Sequence, residues 1–120
     1  MYNQLNTAIL LIVFNRPKTT SKVFELIKKI RPKRLYVASD GARLNKKDEL
    51  KKVNLVREIA TSVDWTCEVK TLFNQHNLGC KSAVSRGIEW FFKYEKEGII
   101  LEDDCLPHLD FFPFCEKLLE

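Results

Sequence analysis

The sequence predicts an α/β fold in three layers, a mostly parallel sheet with helices on both faces and strands ordered 3-2-1-4. Three observations predict it. Residues 8–14 are an unbroken apolar run of strand length, as expected of a strand buried on both faces. Four strand-like segments alternate with helical ones, the pattern of parallel strands joined by helical crossovers. A second short apolar run, Gly98-Ile99-Ile100-Leu101, delivers Glu102, Asp103 and Asp104 where its strand must end.

The elements follow in order. Asn15-Arg16-Pro17 breaks the first strand, and Thr19 or Thr20 can cap a helix to about Ile30, with Val23, Ile27 and Ile30 on one face. Arg31-Pro32 ends that helix. Residues 35–38 are the second strand, running into the turn signal Ser39-Asp40-Gly41. Asp48 can cap a second helix striped by Leu50, Val53, Val56 and Ala60. Residues 65–73 alternate apolar and polar side chains, the mark of a half-buried or edge strand. After a polar loop at 74–79, Ala83, Val84, Ile88 and Phe91 mark a third helix, with Gly98 as its C-cap. Residues 99–101 are the fourth strand, and residues 109–119 a last helix. Trp90, Phe91, Phe92, Phe111, Phe112 and Phe114 read as packing residues.

A chain of 120 residues is one domain's worth, and its 45% hydrophobic and 30% charged content is that of a globular protein. No apolar run approaches the roughly 18 residues that span a bilayer. Residues 1–4 lack the basic start of a signal peptide, so the expected compartment is the cytoplasm. Cys67, Cys80, Cys105 and Cys115 have neither a C-x-x-C pair nor zinc-like spacing with His76 and His108, and read as reduced thiols. Charge is divided along the chain: 14 Lys/Arg against 4 Asp/Glu over residues 16–57, then 6 against 12 from residue 58 onward. That division suits an anionic ligand held on one side and a metal on the other. Nucleic acid is not expected, because the basic half lacks interleaved aromatics and any binding motif.

With strands ordered 3-2-1-4, the chain reverses between the first and fourth strands, and ligands bind in that crevice beyond the carboxyl ends. Asn15 and Arg16 end one of those strands, Glu102, Asp103 and Asp104 the other. Three adjacent carboxylates repel one another unless a cation meets them, and Mg²⁺ or Mn²⁺ bridges such groups to substrate phosphates. Neither G-x-G-x-x-G nor G-x-x-x-x-G-K-[ST] is present, so a bound diphosphate would rely on a metal for charge neutralisation.

Residues 9–17, the Asp40 turn, and Glu102-Asp103-Asp104 followed by Asp110-Phe111-Phe112 resemble the nucleotide-sugar-binding half of a GT-A-fold glycosyltransferase. The likeness is to the N-acetylglucosaminyltransferase I family and its bacterial relatives, which carry a Glu-Asp-Asp form of the metal-binding D-x-D motif. The resemblance implies a transferase using a UDP-sugar and a glycan or other saccharide acceptor. It implies Asp104 as the ligand of Mn²⁺ or Mg²⁺, with Glu102 and Asp103 touching donor hydroxyls or metal-bound water. Arg16, with Asn15 beside it, would sit by the nucleotide phosphates, Asp40 would accept from the uracil imide N–H, and His76 would stand near the nucleotide. Asn77-x-Gly79…Ala83…Gly87 is similar to a motif of bacterial family-2 glycosyltransferases, with Val84 where that motif has arginine; Lys81 or Arg86 would have to compensate.

Each residue also has a plainer reading: Arg16 as a surface cation, Asp40 as a turn former before Gly41, His76 and His108 as loop residues, Cys105 as a packed thiol. The family's general base and acceptor site fall beyond residue 120. The chain is therefore expected to be truncated before the acceptor-binding half, and to bind a nucleotide sugar without transferring it efficiently. A sheet cut there exposes an edge and apolar helix faces through which it can self-associate. Two alternatives stay open: a nucleotidyltransferase that makes sugar nucleotides, and a non-catalytic α/β interaction module whose acids merely cap a helix.

Overall fold

A computed structural model of the protein describes residues 4–120. Of the tetrapeptide read against a signal peptide, residues 1–3 lie outside the described residues. β1 (Ile9–Val13) is buried at every position, as its unbroken apolar run requires. It leads to α1 (Pro17–Ile30), β2 (Arg34–Ser39), α2 (Glu49–Ala60), β3 (Glu68–Phe73), α3 (Cys80–Tyr94), β4 (Ile99–Glu102) and α4 (Phe111–Leu119). The four strands form one sheet ordered β3-β2-β1-β4, every neighbouring pair parallel. Register pairs Val13 with Ser39 and Ile12 with Glu102, so the carboxyl ends of β1, β2 and β4 lie level.

Because side chains alternate across a strand, the two faces of the sheet build two cores. Ile9, Leu11 and Val13 pack with Val23, Phe24 and Ile27 of α1, Val56 and Ala60 of α2, and Phe112 of α4. Leu10, Ile12, Tyr36 and Ala38 pack on the opposite face with Phe91 of α3. Helices thus cover both faces. Among the described residues, no helix is long and apolar enough to cross a membrane.

Several local expectations change. α1 starts with Pro17 at its first position, the slot where a missing N–H costs nothing, so Arg16 is the N-cap and Thr20 lies buried within the helix. Asp48 does precede α2, but in left-handed geometry (φ 63°) and without a side-chain cap. The buried stripe of α2 is Glu49, Val53, Val56 and Ala60; Leu50 points to solvent. β3 begins at Glu68, because Trp65 turns into the core and its indole N–H donates to the Pro32 carbonyl (2.8 Å). Phe91 and Phe112 are fully buried, whereas Phe92, Phe111 and Phe114 are exposed.

Gly98 is not a helix cap. α3 ends at Tyr94 with an extended C-cap at Glu95, three residues earlier. A Cβ at Gly98 would stand 2.4 Å from Phe91 Cζ and 3.0 Å from the Ala8 carbonyl oxygen. The glycine therefore lets the chain pass over the Phe91 ring as β4 starts. Gly98→Ala should destabilise by about 1–2 kcal/mol, an overpacking cost relieved only if the ring moves. Urea denaturation would check this, with an unchanged midpoint refuting it.

Candidate functional site

At the carboxyl ends of the strands lies a cavity of about 370 Å³, on the α3 side of the sheet. Its apolar floor includes Ile12, Ala38 and Val84. α3 comes close there because Gly87 has no side chain; a Cβ on it would stand 3.0 Å from that of Ala38. Around the rim stand Asn15 and Arg16 after β1, Asp40 and Arg43 after β2, Asn77 and Gly79 before α3, and Glu102 at the end of β4 with Asp103 and Asp104 after it. Sequence-distant groups at the crevice are thus brought together. The Arg16 guanidinium lies 3.7 Å from the Asp104 carboxylate, both more than half exposed.

None of the three acids caps a helix, since the N-cap of α4 is Asp110. The Cys105 N–H donates to the Glu102 carbonyl (3.0 Å), closing a turn over Asp103 and Asp104. Ligand atoms of Glu102, Asp104 and Cys105 lie within 4.8 Å of one another, all on exposed residues. The two carboxylates fit a hard divalent ion that keeps water or substrate oxygens in its remaining positions; the thiol is a softer donor than such an ion prefers. Asp103 is half-buried, and burial raises its pKa, Arg16 lowers it, and the charges of Asp104 and Glu102 raise it further. Cys105 is an exposed thiol, not a packed one, and all four cysteines are free.

Asp40 is 6% exposed, and its carboxylate accepts five hydrogen bonds. Oδ1 takes the N–H of Gly41 (2.9 Å), the N–H of Leu78 (2.9 Å) and Asn74 Nδ2 (3.3 Å). Oδ2 takes Asn77 Nδ2 and the Gly79 N–H, both at 3.1 Å. A carboxylate offers about four lone-pair positions, so these donors fill it. Asp40 therefore latches the β3–α3 loop to the end of β2, and any base N–H would have to displace a donor. Gly41 makes the latch possible, because a Cβ there would stand 2.6 Å from the His76 backbone carbon and 2.9 Å from the Asn74 oxygen. His76 contributes that backbone contact; its side chain is exposed and is not among the residues lining the cavity. His108 is exposed beside Asp110, and Lys81 and Arg86 do not line the cavity either.

Two ionic groups escape the sequence reading. Glu49, 4% exposed, accepts from the Arg43 N–H (2.8 Å), Nε (2.9 Å) and Nη2 (2.7 Å), and from Asn15 Nδ2 (3.1 Å). The Arg43 guanidinium chiefly, helped by Asn15 and opposed by burial, holds its pKa down to about 2. Arg43 also lies over the Phe14 ring, 5.6 Å from its centroid. Arg57 donates to Ser39 Oγ (3.0 Å) and to the carbonyls of Asp40 (3.0 Å) and Asn74 (2.9 Å), stacked on Phe73 at 4.7 Å. Burial lowers its pKa, against the pull of Asp40. Glu49 heads the period-3.6 stripe that ends in Ala60, and an acid on a buried face was the readable signal that it has a cationic partner.

The first turn of α3 faces the cavity through Cys80 and Ala83, and no side chain caps it. Free N–H groups and the positive end of a helix dipole favour an anion at such a place. Searched against known protein families, curated proteins and solved structures, the chain matches none of them.

Proposed function

We propose that this chain carries the donor site of a metal-dependent glycosyltransferase that takes a UDP-sugar and passes its sugar to a hydroxyl of a glycan or other acceptor. The observation that carries the reading is the meeting of Arg16 with Glu102, Asp103 and Asp104 at one end of a cavity roofed by the uncapped first turn of α3. In this reading the diphosphate lies between Arg16 and the α3 N-terminus, both electropositive. Asp104, with Glu102 beside it, would hold the divalent ion, Mn²⁺ or Mg²⁺, which would offset negative charge on a departing diphosphate. Asp103 and Glu102 would accept from donor hydroxyls. Asp40 serves by fixing the loop that carries Asn77 and Gly79 to the rim, and Glu49 by holding Asn15 and Arg43 in the wall. The GT-A assignment belongs to this same reading. A turn that does not cap α4 argues against acids with a purely helix-capping role.

Calorimetric titration of UDP with Mn²⁺, with EDTA, and with CMP and ADP as controls tests the proposal. Binding should require the metal, prefer uridine, and weaken by at least about tenfold in Asp104→Ala. Absence of binding by a folded protein under every condition would overturn it.

A further inference from the structure

Among the described residues Leu44 is the most exposed large apolar one, wholly open to solvent at 101% relative exposure. It stands on a turn closed by the Lys46 N–H to the Arg43 carbonyl (3.3 Å), and the Arg43–Glu49 ion pair (2.7 Å) braces that turn against α2. A leucine on a loose loop can fold back on the surface; this one is held away from it. Leu50, in the first turn of α2, is 62% exposed. Lys46, Lys47 and Lys51 lie within a few residues of the two leucines along the chain, all exposed, and among the described residues none of the three is in an ion pair. Asp48 is the exposed acid between them, while Glu49 is buried and neutralised by Arg43.

We propose that the turn at residues 43–48 and the first turn of α2 form a docking surface for an anionic lipid bilayer. Leu44 and Leu50 enter the boundary between headgroups and acyl chains, and Lys46, Lys47 and Lys51 lie among the anionic headgroups. A projecting apolar tip within a basic rim is what such an interface recognises. Nucleic acid fits less well: the patch has no aromatic on which a base could stack, and leucines add nothing to phosphate contacts. The two leucines and three lysines of the surface do not line the cavity, so it stands apart from the donor-site reading. Arg43, however, belongs to both the turn and the rim, so docking would bring the cavity mouth close to the membrane.

The experiment is co-sedimentation of the chain with phosphatidylcholine vesicles, and with vesicles in which roughly a third of the lipid is phosphatidylserine. Binding should appear on the anionic vesicles at low salt, weaken as salt rises, and be at least about 25-fold weaker on neutral ones. Leu44→Ser with Leu50→Ser should weaken it by roughly tenfold. Lys46→Gln with Lys47→Gln should weaken it by roughly 25-fold, while thermal melts stay at the wild-type midpoint. Equal binding to both vesicle types overturns the proposal, as does none to either. A leucine double variant that binds anionic vesicles like wild type also overturns it, since the lysines then adsorb as a plain polycation, which competition by duplex RNA would reveal.

Discussion

Asp40→Ala should cost about 3–5 kcal/mol of folding stability. The substitution strips five hydrogen bonds from one buried carboxylate and leaves the N–H groups of Leu78 and Gly79 without a partner at the entry to α3. Arg57, half-buried and donating to the Asp40 and Asn74 carbonyls, would lose the charge that faces it. Local damage should exceed the global loss: amide exchange at residues 77–80 should accelerate well beyond that of β1. Asp40→Asn, which keeps the shape and one acceptor oxygen, should recover part of the stability. Wild-type exchange rates at Leu78 and Gly79 in the alanine variant would refute the latch.

Glu49→Ala should destabilise by about 2–3 kcal/mol, less than Asp40→Ala because Arg43 is partly exposed and can turn to water once freed. Its signature is in pH. The Glu49 pKa is held down to about 2, below its unfolded value near 4.3. Depression of a carboxyl pKa means the folded state binds fewer protons, so the stabilisation is full above the unfolded pKa. It is lost as pH falls from there towards 2. The difference in stability between wild type and Glu49→Ala should therefore shrink across that acid window and be flat above pH 6. Asp103 runs the other way: its raised pKa favours the folded state below its unfolded value and fades as pH rises through the folded one, an opposing slope to be separated with Asp103→Asn. A Glu49→Ala difference that is constant from pH 6 down to 2 would show the pair does not form.

The arrangement at the crevice was legible because it follows from rules acting along the chain. An unbroken apolar run at 8–14, of strand length and ended by Asn15-Arg16-Pro17, reads as a strand buried on both faces, and alternation with helices then makes the sheet parallel. Strand order 3-2-1-4 fixes which loops meet, and with it Arg16 and Asp104 stand opposite each other. The long-range ion pairs were less legible. Glu49 finds Arg43 and Asn15, and Arg57 finds Ser39 and Asn74, only because α2 docks on the sheet at one particular rotation. Periodicity assigned Leu50 to the buried stripe because hydrophobicity alone cannot tell a leucine that packs from one that faces water.

Local pattern by itself determined the class of fold, the parallel pairing and the acids at the strand ends, since those depend on period and punctuation that a short window of sequence contains. Tertiary structure decided the rest. It turned Asp40 from an open carboxylate into a saturated one, made Gly98 a site of close passage over Phe91, and left Leu44 projecting beside the Arg43–Glu49 ion pair. Each of these outcomes is set by what the packing brings within a few ångströms, and distance in space between residues far apart in the chain is the quantity that a linear sequence does not carry.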